Sequence, residues 1–390
     1  MNVVVLTSSM ADADFNEFSR TARIKPNPSN QNFYNKLIKS LSFYNNVSVL
    51  SLRPFVKGMF DDDYLDSRDG NDGTIKYYYP YIKASKSFKV SKQTEEIMGT
   101  FDRLITEQGY KSFILVVDTL RYSLLKATKE IVKKYNCKVV GVVTDNPSNL
   151  SGASPSYISA IKRLTSNFDG YIALTESLNR VINIKKRPSL ITEGIVEDIE
   201  ESPKLPIGDY LFFGGALYDR FGVRRMLDAF HKSNSNYKLV IAGSGEVAKY
   251  IYDLCEKDRR ILYLGLLDKD TLYKLEQHAV MNINPRPYDW KLDRESVPSK
   301  LLEYFASGAP VMSTKHSKLQ EAFYNSAIWL EDDSEKGLQR AIESLDTMDH
   351  EELKKRAITA RVRVYELYGL RSQGESFTHF INSINSFAIK

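Results

Sequence analysis

Arg294-Glu295-Ser296-Val297-Pro298-Ser299-Lys300-Leu301-Leu302-Glu303-Tyr304-Phe305-Ala306-Ser307-Gly308-Ala309-Pro310-Val311 reads as a loop, a helix and the start of a strand. Pro298 suits a first helical turn, where its missing N–H costs nothing. Ser296 or Ser299 can act as N-cap. Leu301, Leu302, Tyr304 and Phe305 supply an apolar face, and Gly308 fits a left-handed C-cap. Val311, Met312, Ser313 and Thr314 then form a short buried strand. A helix that turns straight into a buried strand is the building unit of an α/β fold with a parallel sheet. Two carboxylates, Glu295 in the loop and Glu303 on the helix, flank seven residues. Free N–H groups at the helix start favour an anion, and Lys300 and Glu303 share a helix face. The segment suits a phosphorylated, hydroxyl-rich ligand; an ordinary surface helix with an ion pair is the plainer reading.

Working outward, strand and helix patterns alternate from end to end, which predicts an α/β chain with mainly parallel sheets. In the first half the expected strands are residues 1–7, 47–50, 113–117, 139–144 and 171–174, with a helix over 31–45. Residues 8–30 are polar and rich in Pro and Asn, and read as a long loop; residues 52–75 read as irregular. In the second half the strands are 210–213, 238–242, 261–264, 281–284 and 311–314. Pro203 and Pro206 mark a linker near residue 205. The expectation is two doubly wound, Rossmann-like domains, 1–205 and 206–370, followed by a final amphipathic helix in 371–390. Ligands of open parallel sheets bind beyond the carboxyl ends of the strands, here expected in a cleft between the domains.

Composition limits the function classes. Of 390 residues, 42% are hydrophobic and 26% charged, as in soluble globular proteins. No apolar run approaches the roughly 20 residues that span a bilayer, and the N-terminus reads as a strand, not a signal peptide. Cys137 and Cys255 lack metal-ligand spacing and the five histidines are scattered, so neither a disulfide framework nor a zinc cluster is expected. A cytoplasmic location follows as the default. Net charge is +5, concentrated at Arg121, Lys126, Lys129, Lys133, Lys134 and Lys138 and at Lys185, Lys186 and Arg187. Such a face can attract anionic lipid headgroups at the inner side of a membrane; the alternative is a solvated helix face. No reader motif for nucleic acid accompanies the charge.

The candidate chemistry sits at strand ends. Gly214 and Gly215 end one strand and permit close backbone approach. Gly243 and Gly245 form a second strand-to-helix turn, without the third glycine of a dinucleotide fingerprint. Gly265 ends another strand, and Asn284-Pro285-Arg286 brings a cation to the same edge. In the first half, Asp145 in Thr144-Asp145-Asn146-Pro147 and Asp118 each end a strand; an Asx-turn is the alternative for both. Asp61, Asp62 and Asp63 resemble an Asp-x-Asp metal site but lie in the irregular segment.

Together these motifs resemble glycosyltransferase family 4, the retaining nucleotide-sugar transferases of the GT-B fold. The likeness rests on Phe213-Gly-Gly-Ala-Leu217, Val240-Ile-Ala-Gly-Ser-Gly245, Tyr263-Leu-Gly265, Asn284-Pro-Arg286, the Glu295–Glu303 pair and the block from Pro298 to Val311. That block is similar to a bacterial subgroup that builds polysaccharides and glycoconjugates. The first half matches more loosely, through Thr144-Asp-Asn-Pro147, Leu174-Thr-Glu176 and Glu193-Gly-Ile-Val196.

The resemblance implies that Glu295 contacts donor-sugar hydroxyls and Glu303 the ribose hydroxyls. It implies that backbone N–H groups around Ser296 to Ser299, a stretch that includes Val297 and Pro298, approach the diphosphate. Gly214 and Gly215 would border the phosphates, Gly243 and Gly245 the nucleotide, and Gly265 the base. Asp145 would face sugar and acceptor from the first domain, and the last helix would cross back to that domain. The chain departs from the family where Arg and Lys usually neutralise the diphosphate: here stand Ala216 and Phe221. Lys300 and Arg286 are the expected substitutes. The implied activity is metal-independent hexosyl transfer, without a cofactor, from a nucleotide sugar (UDP-hexose being commonest) to a carbohydrate, lipid-linked or protein hydroxyl. The rivals are a non-catalytic GT-B partner of another transferase and a nucleotide-sugar 2-epimerase.

Overall fold

The computed structural model describes the chain except residues 85–89, 151, 290–293, 316 and 387–390, with only the backbone of 317–318 and 385–386. Two compact units form. One comprises Met1–Ile195, Arg294–Val297 and the chain from Leu370 onward; the other comprises Val196–Asp293 and Pro298–Gly369. The division falls at Ile195/Val196, earlier than the linker expected near residue 205. Val196 N donates to Tyr368 O (2.8 Å) and Ile199 N to the Tyr365 hydroxyl (3.0 Å), which ties residues 196–199 to the second unit.

The strands of the first unit are β1 (Asn2–Thr7), β2 (Asn46–Ser51), β3 (Tyr64–Leu65), β4 (Arg68–Asp72), β5 (Ile75–Tyr79), β6 (Ile82–Lys83), β7 (Ile114–Asp118), β8 (Lys138–Val143), β9 (Gly170–Ala173) and β10 (Ser189–Ile191). The main sheet runs β10-β9-β8-β7-β1-β2-β5-β4, parallel except for β4 against β5. Its two faces are apolar, as a parallel sheet covered by helices requires. Val3, Val5, Val49 and Val116 lie in one layer, and Val4, Leu6, Leu50 and Val117 in the other. The tyrosines at 77, 78 and 79 lie in strand β5 and are all buried, so they pack within the sheet layers.

Two expectations fail in this unit. Residues 8–30 are not one loop: Asp12–Thr21 is a helix, with Asp12 and Asp14 in the turn where acidic groups suit the helix dipole. Its apolar signal is sparse, because Phe18 is its one buried residue. The next helix, Pro28–Ser42, starts earlier than expected because Asn27 caps Ser29 N and Pro28 occupies the first turn. Residues 52–75 hold β3, two residues long, and β4, whose polar sequence carries no alternation to read.

The final helix, Leu370–Ser386, crosses back to the first unit as expected. Phe377, Ile381 and Ile384 enter the same apolar layer as Val3 and Val5. Gln373 Oε1 accepts from Thr192 Oγ1 (2.6 Å), and Thr378 Oγ1 accepts from Asn45 Nδ2 (2.7 Å).

The second unit carries β11 (Tyr210–Ala216), β12 (Lys238–Ser244), β13 (Ile261–Tyr263), β14 (Met281–Asn284), β15 (Val311–Thr314) and β16 (Ile328–Leu330). They form one parallel sheet in the order β13-β12-β11-β14-β15-β16. Relabelled within the unit this is 3-2-1-4-5-6, the doubly wound order of dinucleotide-binding folds. The order reverses between β11 and β14, so the crevice for a ligand opens at the carboxyl ends of those two strands.

Candidate functional site

The switch point of the second sheet gathers most of the expected residues. β11 ends in Gly214, Gly215 and Ala216, and β14 runs into Pro285 and Arg286. Between β14 and β15 comes the Ser299–Ser307 helix, ended by Gly308 in the left-handed conformation (φ 78°) as expected. Its start differs from the expectation. Pro298 is the cap residue rather than part of the first turn, and among the described residues no side chain caps the helix, neither Ser296 nor Ser299. Leu301 N donates to Pro298 O at 2.9 Å, which leaves the N–H groups of Ser299 and Lys300 at the open end of the helix.

Tyr304, on the buried face of this helix, bonds the β11 end directly: its hydroxyl accepts from Gly214 N at 3.0 Å. Lys300, one turn earlier, lies along Gly215, its Cγ 3.9 Å from where a Cβ on that glycine would stand. The Lys300 ammonium bridges two carboxylates, Glu303 Oε2 at 2.8 Å and Glu276 Oε1 at 2.9 Å. Glu276 comes from the Lys269–Gln277 helix and is completely buried. Burial opposes the charge on Lys300, yet the paired Glu276 and Glu303 hold its pKa well above the ordinary lysine value. Burial first, and then Glu303, raise the pKa of neighbouring Tyr273.

The glycines separate into two kinds. A Cβ on Gly243 would lie 1.8 Å from Gly215 O, and one on Gly245 would lie 2.4 Å from Leu217 O. Both are glycine because the β12 end presses on the backbone after β11, which explains them without a ligand. Gly265 (φ 69°) is a turn with open space around its Cβ position. Gly215 is different, since nothing comes closer than 3.7 Å. Gly243→Ala is expected to destabilise by about 1–3 kcal/mol from forced overlap, read as a lower urea midpoint. Gly215→Ala should leave that midpoint nearly unchanged and weaken nucleotide binding; equal midpoints for both variants would refute the distinction.

The other cations have definite places. The Arg220 guanidinium lies over the rings of Tyr218 (5.2 Å) and Phe221 (4.9 Å), beside the position where the family carries Lys. Arg224 stacks on Tyr250 at 4.1 Å. Arg225 donates to Pro285 O at 3.2 Å, pinning the β14 end. Arg286 is buried at that end, its backbone carbonyl accepting from Thr314 Oγ1.

Glu295 falls in the first unit, apart from Glu303, which belongs to the second. Its Oε1 accepts from Asn146 Nδ2 (3.3 Å) and its Oε2 from Asn149 Nδ2 (3.4 Å). Asp145 shapes this loop, accepting from Asn146 N (2.7 Å) and Asn149 Nδ2 (3.0 Å). The structure thus brings Asp145 and Glu295 together through two asparagines. Asp118 lies at the other switch point, between β1 and β7, where it is buried and accepts from Leu120 N at 2.9 Å. Burial raises its pKa, opposed by Arg121. Sequence reasoning missed Glu276. Its signal was a carboxylate on the apolar stripe Leu272, Leu275, Glu276 and Ala279, where a charge must find a partner. Among the described residues, no group of three or more His, Cys, Asp or Glu could hold a metal ion, and no helix is long and apolar enough to cross a membrane.

Residues 197–362 match the family model described as Glycosyl transferases group 1. An uncharacterized glycosyltransferase of Methanocaldococcus jannaschii is 32% identical over 127 residues, 31% of this chain and 31% of the relative. The aligned stretch thus spans about a third of that relative's length. Among solved structures, sucrose-phosphate synthase from Thermosynechococcus elongatus superposes with a TM-score of 0.68 at 14% identity, covering 99% of this chain and 100% of that one. The E. coli structure described as trehalose-6-phosphate bound with UDP-2-fluoro glucose gives 0.67 at 11% identity over 98% and 99%. Anabaena HepE in complex with UDP-glucose gives 0.61 at 11% over 98% and 100%. The fold is therefore that of the GT-B glycosyltransferases, with two Rossmann-like domains.

Proposed function

We propose that the chain is a retaining glycosyltransferase that moves a sugar, UDP-hexose being the first donor to try, to an acceptor hydroxyl in polysaccharide or glycoconjugate synthesis. The observation that carries the reading is Glu303, held on the helix at the switch point of a 3-2-1-4-5-6 sheet, within the stretch matched by the family model. A carboxylate there accepts hydrogen bonds from a ribose diol, while the uncapped N–H groups of the same helix suit the diphosphate. Glu295 takes the donor-sugar hydroxyls, and Asp145 holds the asparagines that orient it. Arg286 lies on the diphosphate side.

As the glycosidic bond breaks, charge grows on the leaving diphosphate, and fixed N–H dipoles and cations stabilise it without reorganising. The acceptor attacks from the face the diphosphate leaves, and its proton passes to a leaving phosphate oxygen. No protein base and no metal are needed in this scheme. The acceptor is a carbohydrate, lipid-linked or protein hydroxyl, reached in the cytoplasm or at the inner membrane face through the basic patch of the first domain.

A panel of nucleotides and nucleotide sugars in thermal shift tests the reading. A binder at 100 times its dissociation constant should stabilise by about 2.7 kcal/mol. With donor and acceptor in hand, NMR of the product should show the donor's anomeric configuration retained; an inverted product would sink the mechanism. Ala216 and Phe221, in place of the family's Arg and Lys, favour one rival, a non-catalytic GT-B partner. That rival predicts nucleotide binding with no turnover on any acceptor.

A further inference from the structure

We infer that Glu276 and Lys300 form a clamp that positions Glu303 for the ribose, and that Lys300 is not the cation that neutralises the diphosphate. The inference rests on the donor reading above and assigns its ribose subsite a residue from a different helix. Lys300 is gripped from both sides: by Glu276, completely buried, at 2.9 Å and by Glu303 at 2.8 Å. The one ammonium is already matched by two carboxylates, so it offers a diphosphate little attraction, while a carboxylate beside it welcomes hydroxyl donors.

The placement is rigid. Glu276 is fixed in a helix whose start is capped by Asp268, which accepts from Thr271 N at 2.8 Å. Its carbonyl accepts from the buried Asn282 Nδ2 at 2.9 Å, which locks the helix end to β14. On the other side, Tyr304 bonds Gly214 N, so the helix bearing Lys300 and Glu303 cannot slide along β11. Glu276 sets where the ammonium sits, and the ammonium sets where Oε2 of Glu303 sits. Glu303 alone, three residues from Lys300, would pair with it as any surface helix pair does, drawing the carboxylate away from a ligand. Sharing Lys300 with Glu276 weakens that pull and leaves Glu303 able to accept from a hydroxyl. Glu276 is thus a positioning residue, acting through Lys300.

The experiment measures affinity of the full chain for the four ribonucleoside diphosphates and their 2′-deoxy counterparts by calorimetry. The wild type should prefer one ribonucleotide over its 2′-deoxy form by about tenfold or more, the worth of one charge-assisted hydrogen bond. In Glu276→Gln the neutral amide holds Lys300 more weakly, the ammonium leans to Glu303, and the preference should fall to about threefold or less, while the choice of base is kept. The pair Glu276→Gln with Lys300→Gln removes the ammonium that fixes Oε2 of Glu303, so the preference should fall there too, and this pair serves where the single variant does not fold. A folded variant that keeps the wild-type preference overturns the clamp and leaves the donor reading standing. A wild type that binds none of the eight nucleotides overturns that reading and the clamp with it.

Discussion

Glu303→Ala is expected to lower nucleotide affinity by about 100-fold or more, the largest binding loss of any single change in the chain. The carboxylate accepts two charge-assisted hydrogen bonds from the ribose in the proposed mode, each worth about 1.5–3 kcal/mol. At about 1.4 kcal/mol per decade, two such bonds account for a factor of 100 or more. The fold should survive, because Lys300 keeps the buried Glu276 as its partner when Glu303 is gone. Glu303→Gln, which keeps one oxygen acceptor, should lose about tenfold. Calorimetry with the nucleotide that the wild type binds reads both values, and circular dichroism checks folding. An alanine variant with wild-type affinity would remove Glu303 from the ribose site, and the central support of the proposed function with it.

Much of the second domain was legible because its strands are continuous apolar runs that end in glycine or Asn-Pro. Tyr210–Phe213, Lys238–Ala242 and Met281–Asn284 announce buried parallel strands by composition alone. β16 and β10, three residues each, were not legible; β13 is as short, but its apolar Ile261-Leu262-Tyr263 runs to a glycine turn at Gly265 that marks its end. The helix Asp12–Thr21 was hidden for the opposite reason: it is mostly solvated, and only Phe18 is buried.

The candidate site shows the same limits at the level of single residues. Glu303 and Lys300 were visible as a helix pair, but the third member, Glu276, is more than twenty residues away in sequence and meets them only through the fold. Gly243 and Gly245 read as a turn bordering the nucleotide, and backbone pressing on backbone is a sufficient cause for both glycines. A glycine pattern in sequence cannot distinguish room left for a ligand from room taken by a neighbouring strand. Asp145 carried both an Asx-turn and a site reading, and its bonds to Asn146 and Asn149 make it the organiser of the loop that holds Glu295.

The largest stability effect is expected from Lys300→Met. Met keeps the stem that lies along Gly215 and deletes the ammonium, so the change isolates charge from packing. Glu276 is then left buried without that ammonium. Breaking a buried pair from one side costs about 3–5 kcal/mol. For a domain of this size each kcal/mol moves the melting temperature by about 2–4 °C, so a fall of about 6–20 °C is expected for the second domain. Adding Glu276→Gln should recover most of the loss, because removing both charges of a buried pair is often nearly neutral. The pH dependence follows from the sign of the shift. Lys300 has a raised pKa in the folded chain, so its contribution is complete below the unfolded value of about 10.4 and is lost as pH climbs through the folded one. The gap between wild type and Lys300→Met should therefore persist to the alkaline limit of the lysine titration and narrow only above it. A Lys300→Met protein that melts with the wild type at neutral pH would show that the ammonium balances no buried charge, and the clamp on Glu303 would fall with it.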